Sequence, residues 1–373
     1  MSTSYEQKIE HSKKDGASDT SRIDAASDIL SRLSFDSRRR LEGRWLDISK
    51  DGELIFKDPP PKEDCQNTTS MSICANCGKE GTDVTNTCNK CNLVMYCNAV
   101  CKKKHRSKHK KQCERRVAEL QDEKLFKEPP SEDDCPICYL MLPKLGTGRT
   151  YMACCGKIMC CGCIHAPVYD NQGNVIAERT CPFCRTPAPT SDEKYVKRYK
   201  HRSELNDADA ILNLGGYYAL GEYGLSQNMA KALELWHRAG ELDSAQSYYN
   251  IGIAYDTGDG VALDERKAIH YYELAAIGGN VHARHNLGCT EGKSGNYDRA
   301  LKHWMIAAGS GYTDSLKNIK RMCKSGLAMK DDYANALRAY QAHLDKIKSD
   351  LREKAAAAYD QYKYYESALL KDT

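Results

Sequence analysis

Residues 74–113 read CANCGKEGTDVTNTCNKCNLVMYCNAVCKKKHRSKHKKQC, and closely spaced pairs of cysteines recur in them at loop-sized intervals. Two thiolates separated by two residues can reach one tetrahedral zinc ion from a single tight turn, each at about 2.3 Å. Two such pairs complete a site that has no open coordination position, and closed sites hold structure and do not catalyse. The stretch therefore predicts structural zinc binding.

A second cysteine-rich stretch follows at residues 135–184, which begin with Cys-Pro-Ile-Cys and end with Cys-Pro-Phe-Cys. The whole chain has 19 cysteines, an odd number, and residues 1–18 are polar and lack the apolar segment of a signal peptide. A disulfide framework is therefore not expected. No apolar run reaches the roughly 18 residues that a membrane span needs. We expect an intracellular protein, cytoplasmic or nuclear, with reduced cysteines and no membrane contact.

The ligands of the first stretch divide into two zinc sites if alternate pairs share an ion. One set is Cys74, Cys77, Cys97 and Cys101, and the other is Cys88, Cys91, His109 and Cys113. This ordering, with a closing cysteine four residues after the histidine, resembles the MYND-type zinc finger at all eight ligand positions. The resemblance implies docking of short proline-containing peptides from partner proteins, although Arg106 stands where the family usually has a tryptophan. A folded spacer is the alternative.

The second stretch divides in the same way. One set is Cys135, Cys138, Cys160 and Cys163, and the other is Cys154, Cys155, Cys181 and Cys184. This arrangement resembles the RING finger in an all-cysteine variant. Lys157 occupies the position of the usual RING histidine, and because a cationic lysine cannot bind zinc, we expect Cys155 to be the fourth ligand. Cys161 and His165 remain as alternatives. Both modules together would hold four structural zinc ions.

The resemblance also assigns roles to residues that are not ligands. A loop pinned by zinc at both ends can expose an apolar side chain, and an exposed apolar patch indicates a partner. In RING ubiquitin ligases the positions of Ile137, Pro182 and Phe183 contact the ubiquitin-conjugating enzyme. Arg185 matches the linchpin residue that hydrogen-bonds both this enzyme and its thioester-linked ubiquitin. The resemblance therefore implies a ubiquitin ligase without a nucleophile of its own, which acts by positioning. A non-enzymatic adaptor is the alternative.

One segment of the chain is strongly basic. The formal net charge is +4, yet residues 102–116 alone contain nine lysines or arginines and one acidic residue. Three readings are open: a helix that turns its lysines to water, a nuclear-import signal, and a nucleic-acid contact. No aromatic residues interleave the segment to stack on bases, and two of its residues are expected zinc ligands. Nucleic-acid binding is therefore the least favoured reading.

An internal repeat begins at residue 208. The motif Asn-Leu-Gly occurs at 213–215 and 286–288, as Asn-Ile-Gly at 250–252, and in degraded form at 318–320. A second signal is an alanine followed four residues later by an aromatic residue, at Ala232, Ala268, Ala300 and Ala336. Two helices per unit predict a stacked solenoid in which large and small residues interdigitate. The pattern resembles the Sel-like repeat, a relative of the tetratricopeptide repeat, in four copies, and solenoids bind proteins through a concave face.

The last repeat is expected to continue from Asp331 as one long helix through Tyr362, which caps the solenoid or mediates self-association. No metalloprotease, serine-hydrolase or dinucleotide-binding motif occurs, so intrinsic hydrolase, kinase or dehydrogenase activity is not expected. The predicted fold is multidomain, with two small cross-brace zinc-binding modules followed by an all-α solenoid of helix-turn-helix repeats and a long C-terminal helix. The predicted domains are a mostly disordered region 1–70, a MYND finger 71–116, a linker 117–131, a RING finger 132–188, a helical linker 189–207, the repeats 208–342 and a capping helix 343–373.

Overall fold

The computed structural model describes residues 45–48, 54–57, 72–130, 133–145, 147–169, 174–175 and 177–364. The described residues form two compact units: one contains those up to 86 together with 95–104, and the other contains 87–94 together with 105 onward. Within these ranges, no helix combines the length and the apolar character needed to cross a bilayer.

The first unit contains an antiparallel strand pair, β1 (Trp45–Ile48) and β2 (Leu54–Lys57), with Trp45 opposite Lys57. Apart from these two strands, the region predicted to be mostly disordered, 1–70, lies outside the described residues. A strand pair was not among the sequence predictions for this region.

Two further short strands are β3 (Asn86–Thr87) and β4 (Met95–Tyr96). From residue 72 onward, the buried side chains of the first unit are Val84, Tyr96 and Cys74, and the backbone N–H of Ala75 donates to the Met95 carbonyl at 2.9 Å. So small an apolar core cannot stabilise a fold alone. An additional source of stability is therefore needed near Cys74.

Helix α1 (Ala99–Leu125) extends well into the predicted linker 117–131. Its second half is rich in helix-forming residues, and Arg116 pairs with Glu119 at 3.2 Å, one turn away. Leu125, at its end, is buried among residues of the repeats. The segment expected to be a linker is thus a helix with a docked end, a contact that no local pattern in the sequence indicates.

The second zinc module is built on a hairpin, β5 (Arg149–Met152) and β6 (Lys157–Cys160), followed directly by the short helix α2 (Cys161–His165). The Tyr151 hydroxyl donates to Asp207 Oδ2 at 2.7 Å. Because Asp207 also caps the first helix of the repeats, this hydrogen bond ties the hairpin to the start of the solenoid.

From residue 192 to the end of the described residues, the regular structure is all helical, which confirms the predicted solenoid. Polar caps begin five consecutive helices: the side chains of Asp207, Asn228, Ser244, Asp264 and Asn280 each accept a hydrogen bond from a backbone N–H in the first turn. The helices are α3 (Asp192–Glu204), α4 (Ala208–Leu220), α5 (Met229–Glu241), α6 (Ala245–Thr257), α7 (Glu265–Ile277), α8 (Val281–Lys293), α9 (Tyr297–Gly309), α10 (Thr313–Lys324) and α11 (Lys330–Ile347).

The glycine of each Asn-Leu-Gly motif lies against the aromatic residue of the next helix. A Cβ atom added to Gly215 would lie 2.6 Å from Trp236 Nε1, and the indole N–H donates to the Leu212 carbonyl at 3.2 Å. Helices can approach this closely only where the side chain is absent. In the second and third copies, an added Cβ would lie 2.6 Å from Tyr272 at Gly252 and 2.5 Å from Trp304 at Gly288. In the fourth copy Lys320 replaces the glycine.

The expectation of one long C-terminal helix through Tyr362 is wrong. Helix α11 ends at Ile347, the backbone is extended at Lys348, and a separate helix α12 (Asp350–Ala358) follows, with a 3-10 turn at Asp360–Tyr362. Ser349 starts α12 because its side chain accepts a hydrogen bond from the Arg352 N–H at 3.4 Å. The predicted capping region 343–373 is therefore divided, and α12 packs on the second zinc module.

We expect adjacent glycines of α4 to respond oppositely to alanine. Gly215→Ala should lower the free energy of unfolding by about 1–3 kcal/mol, because the new methyl group would overlap the Trp236 indole. Gly216→Ala should raise it by about 0.5–1 kcal/mol, since no described atom outside the adjoining backbone of α4 lies within 4 Å of its added Cβ and alanine favours a helix interior. Urea denaturation followed by circular dichroism measures both. Equal losses would contradict the packing explanation.

Candidate metal centres

Among the described residues, four Cys-x-x-Cys pairs each adopt the same type of backbone turn. The residue after the second cysteine lies in the left-handed region, with φ of 72° at Gly78, 51° at Asn92, 56° at Tyr139 and 60° at Arg185. Its N–H donates to the carbonyl of the first cysteine at 2.8–2.9 Å. The N–H of the first cysteine in turn donates at 2.9 Å to a carbonyl after the turn. We call this turn the knuckle.

In the first unit, one knuckle joins two cysteines near the start of α1. Cys97 Sγ lies 3.7 Å from Cys77 Sγ and 3.6 Å from Cys101 Sγ. Asn98 accepts a hydrogen bond from the Cys101 N–H at 2.9 Å and so fixes the first turn of the helix. The group comprises Cys74, Cys77, Cys97 and Cys101, whose Sγ atoms all lie within 4.8 Å of one another.

The remaining four predicted ligands of residues 74–113 lie in the second unit. Cys91 Sγ lies 3.2 Å from His109 Nε2, and Cys88 Sγ lies 3.6 Å from Cys113 Sγ. His109 and Cys113 are one helical turn apart, so both point from the same face of α1. This group comprises Cys88, Cys91, His109 and Cys113.

Two more groups lie in the second module. Cys138 and Cys160 are 3.8 Å apart between their Sγ atoms, and Cys155 and Cys181 are also 3.8 Å apart. Cys155 lies in the turn between β5 and β6, where its N–H donates to the Met152 carbonyl at 3.1 Å. The groups are Cys135, Cys138, Cys160 and Cys163, and Cys154, Cys155, Cys181 and Cys184. The structure thus brings together the same sixteen side chains, in the same four sets, as the alternation of pairs predicts.

The spacing of these groups fits zinc. Ligands at about 2.3 Å from a tetrahedral zinc ion have sulfur atoms ~3.8 Å apart. The sulfur pairs described above span 3.6–3.8 Å, with Cys154 and Cys184 closer at 3.4 Å. A disulfide would need about 2.05 Å. The groups are therefore compatible with four closed zinc sites, and four protein ligands leave no position for a reacting water molecule.

The alternative fourth ligands lie elsewhere. Cys161 is fully buried in a core formed with C-terminal residues such as Tyr340 and Leu344, and burial raises the pKa of its thiol to about 11. His165 is buried against Tyr169, with ring centroids 4.6 Å apart. Neither side chain belongs to any of the four groups among the described residues.

The knuckles of the second module expose their central residues. Ile137 is 36% exposed and Phe183 47% exposed, Pro182 is half-buried, and the Arg185 side chain is exposed. Sequence reasoning missed Tyr139, which is 77% exposed. Tyr139 directly follows the second cysteine of its knuckle, and Arg185 holds the same position in the last knuckle. This shared position could have pointed to Tyr139 from the sequence.

The basic segment of α1 behaves as a solvated helix. Lys103, Lys104, Arg106 and Lys108 are exposed, whereas His109 in the same segment is buried. The helix therefore separates its charged face from its ligand face. The position at which the MYND family usually has a tryptophan, Arg106, belongs to the charged face.

Comparison with known families identifies two parts of the chain. Residues 74–113 match the MYND finger, and residues 208–244, 245–280 and 281–312 match the Sel1 repeat. The chain thus contains a MYND finger and Sel1 repeats, both of which indicate protein–protein interaction. The cysteine-rich stretch 135–184 lies outside the matched residues.

Three solved structures are similar to parts of this chain. A Sel1 repeat protein from Oxalobacter formigenes is 27% identical with a TM-score of 0.37, over 41% of this chain and 64% of that one. The antigen c5321 of uropathogenic Escherichia coli, which displays an SLR fold, is 23% identical with a TM-score of 0.36, over 46% and 37%. The immunity protein Pa5087 of Pseudomonas aeruginosa is 20% identical with a TM-score of 0.32, over 49% and 75%. The chain spans less than two thirds of the first two.

We expect native mass spectrometry of the full chain to find four zinc ions. Cys155→Ser should reduce this to three, because it removes a ligand from a closed site. Cys161→Ser is the matched control, since it changes the same chemical group in the same module and should retain all four ions. Four ions in Cys155→Ser, or three in Cys161→Ser, would contradict the ligand set described above.

Proposed function

We propose that residues 135–184 form a RING-type module and that the protein is a ubiquitin ligase. The supporting observation is the surface of the two terminal knuckles. Each is held by two cysteines and by paired backbone hydrogen bonds, yet exposes an apolar residue, Ile137 in one and Phe183 in the other. An apolar side chain kept in water by a rigid loop is ready to be buried by a partner. That partner is a ubiquitin-conjugating enzyme charged with ubiquitin.

Arg185 completes the proposed contact surface. Its backbone is held in the left-handed conformation, with φ at 60° and its N–H bonded to the Cys181 carbonyl at 2.8 Å. The exposed guanidinium therefore extends from a fixed point next to the last ligand. Its planar set of donors suits two carbonyl acceptors on two bodies, the conjugating enzyme and its ubiquitin. Holding these bodies together lets a substrate lysine attack the thioester, so the catalytic contribution is positioning.

The other parts of the chain would bring the substrate. The MYND finger would capture a proline-containing peptide, and the Sel1 repeats would hold a protein substrate or scaffold on their extended surface. These same parts favour the second candidate, a non-enzymatic adaptor that only joins partners. The two proposals differ in one property, the acceleration of ubiquitin transfer.

A discharge assay with a panel of ubiquitin-charged conjugating enzymes tests the ligase. The wild-type chain should accelerate release of ubiquitin to free lysine. Arg185→Ala should slow that release about 10–100-fold, since a charge-assisted hydrogen bond contributes roughly 1.5–3 kcal/mol. Ile137→Ala should instead weaken binding of the conjugating enzyme about tenfold, as loss of an apolar anchor does.

Asn92→Ala is the matched control for Arg185→Ala. Asn92 holds the same left-handed knuckle position in the MYND finger, with φ at 51°, so it reports any general cost of altering a knuckle. It should leave discharge at the wild-type rate. If the wild-type chain accelerates discharge with none of the enzymes, the ligase proposal fails and the adaptor remains.

A further inference from the structure

Helix α12 inserts a fully buried arginine into the second zinc module. Arg352 is 0% exposed although it lies more than 160 residues after the last ligand of that module. Its guanidinium donates to the carbonyls of Met141 at 2.7 Å and Leu140 at 3.2 Å, and to the Ile347 carbonyl at 2.7 Å. Nη2 also lies 3.8 Å from Cys138 Sγ.

The backbone of α12 lies equally close to the module. A Cβ atom added to Gly162 would lie 2.7 Å from Arg352 N and 2.8 Å from the Leu351 carbonyl carbon. Gly162 is located between the ligands Cys160 and Cys163, on helix α2. No residue with a side chain could occupy this position while α12 is docked. The contact therefore depends on glycine at position 162 in α2 and on arginine at position 352 in α12.

The charges explain why an arginine is buried here. Four thiolates around one zinc ion carry a net charge of about −2, and burial of a charge costs less when the charge is paired and hydrogen-bonded. Arg352 supplies a positive charge beside the group formed by Cys135, Cys138, Cys160 and Cys163. It also binds the carbonyls that follow the Cys135–Cys138 knuckle. Loss of the zinc ion would remove this charged group and release the knuckle whose following carbonyls Arg352 holds.

We infer that α12 is a part of the second zinc module and that zinc binding at Cys135, Cys138, Cys160 and Cys163 is thermodynamically coupled to docking of α12. The coupling rests on the assignment of zinc to this group. By reciprocity, zinc favours the docked helix as much as the docked helix favours zinc. Docking of α12 thereby depends on the zinc content of a module that precedes all the repeats in the sequence. Loss of the zinc ion from this one group would release α12 from the module.

Hydrogen exchange of the full chain, measured by mass spectrometry on peptides from α12, tests the effect of zinc on the helix. Cys163→Ser removes one ligand of the coupled group and should speed exchange in α12 at least about tenfold, since its counter-charge is weakened. Cys77→Ser removes a ligand of the group in the first unit and should leave α12 unchanged. Equal protection of α12 in both variants, at reduced zinc content, would overturn the coupling.

The reverse effect is measured as the rate of zinc loss to a chelator. Arg352→Met keeps much of the side-chain volume but removes the charge, and should release one of four ions about 10–100-fold faster, as loss of a supporting hydrogen bond to a metal ligand does. Arg284→Met is the matched control: Arg284 is 2% exposed and donates to the Leu125 and Ala276 carbonyls, away from the cysteines.

The outcomes separate the coupling from the zinc assignment. Faster loss of one ion in Arg352→Met, with wild-type rates in Arg284→Met, supports the inference. Wild-type rates in both variants overturn it while leaving the zinc sites intact. A wild-type chain that contains no zinc bound by Cys135, shown by an unchanged ion count in Cys135→Ser, overturns the inference together with the zinc assignment of this group.

Discussion

The requirement that four side chains converge on one metal ion constrains most of the N-terminal half of this protein. A cysteine pair can share an ion only if the chain turns back at once, and each knuckle does so with a left-handed residue and two backbone hydrogen bonds. Modules of this size bury little apolar surface. A structural zinc site supplies roughly 10–16 kcal/mol, which replaces a large core. Apolar residues within the knuckles, such as Ile137 and Phe183, can consequently face solvent without loss of the fold.

Within the second unit, two buried guanidinium groups connect segments that are distant in the chain. Arg284 donates to the carbonyl at the end of α1, and Arg352 donates to carbonyls beside the first knuckle of the second module. Each joins segments more than 150 residues apart in the sequence. The Nη atoms of both arginines donate to carbonyls, which offsets part of the cost of burying the charge, whereas both Nε atoms are buried without a hydrogen-bond partner among the described residues. Within the second unit, the repeats therefore pack against the end of α1, and α12 packs against the second zinc module.

This arrangement bears on the proposed function. A ligase that acts by positioning needs a fixed relation between the surface that holds the conjugating enzyme and the surface that holds the substrate. The Tyr151 hydrogen bond to Asp207 at one end of the second module and the Arg352 contacts at another restrict its motion relative to the repeats. An adaptor would gain less from such restriction, since flexible tethers also bring partners together.

The sequence by itself determined the alternation of cysteine pairs, apart from the choice among Cys155, Cys161 and His165, and the repeat period, because both are local patterns. The packing of Trp236, Tyr272 and Trp304 against the motif glycines was not predicted and came from the structure. Only the tertiary structure decided that Leu125 docks among the repeats and that Arg352 enters the second module. These features depend on partners distant in the chain. A buried arginine and an exposed one have the same local sequence signature, and the carbonyls that make burial possible are specified by the fold.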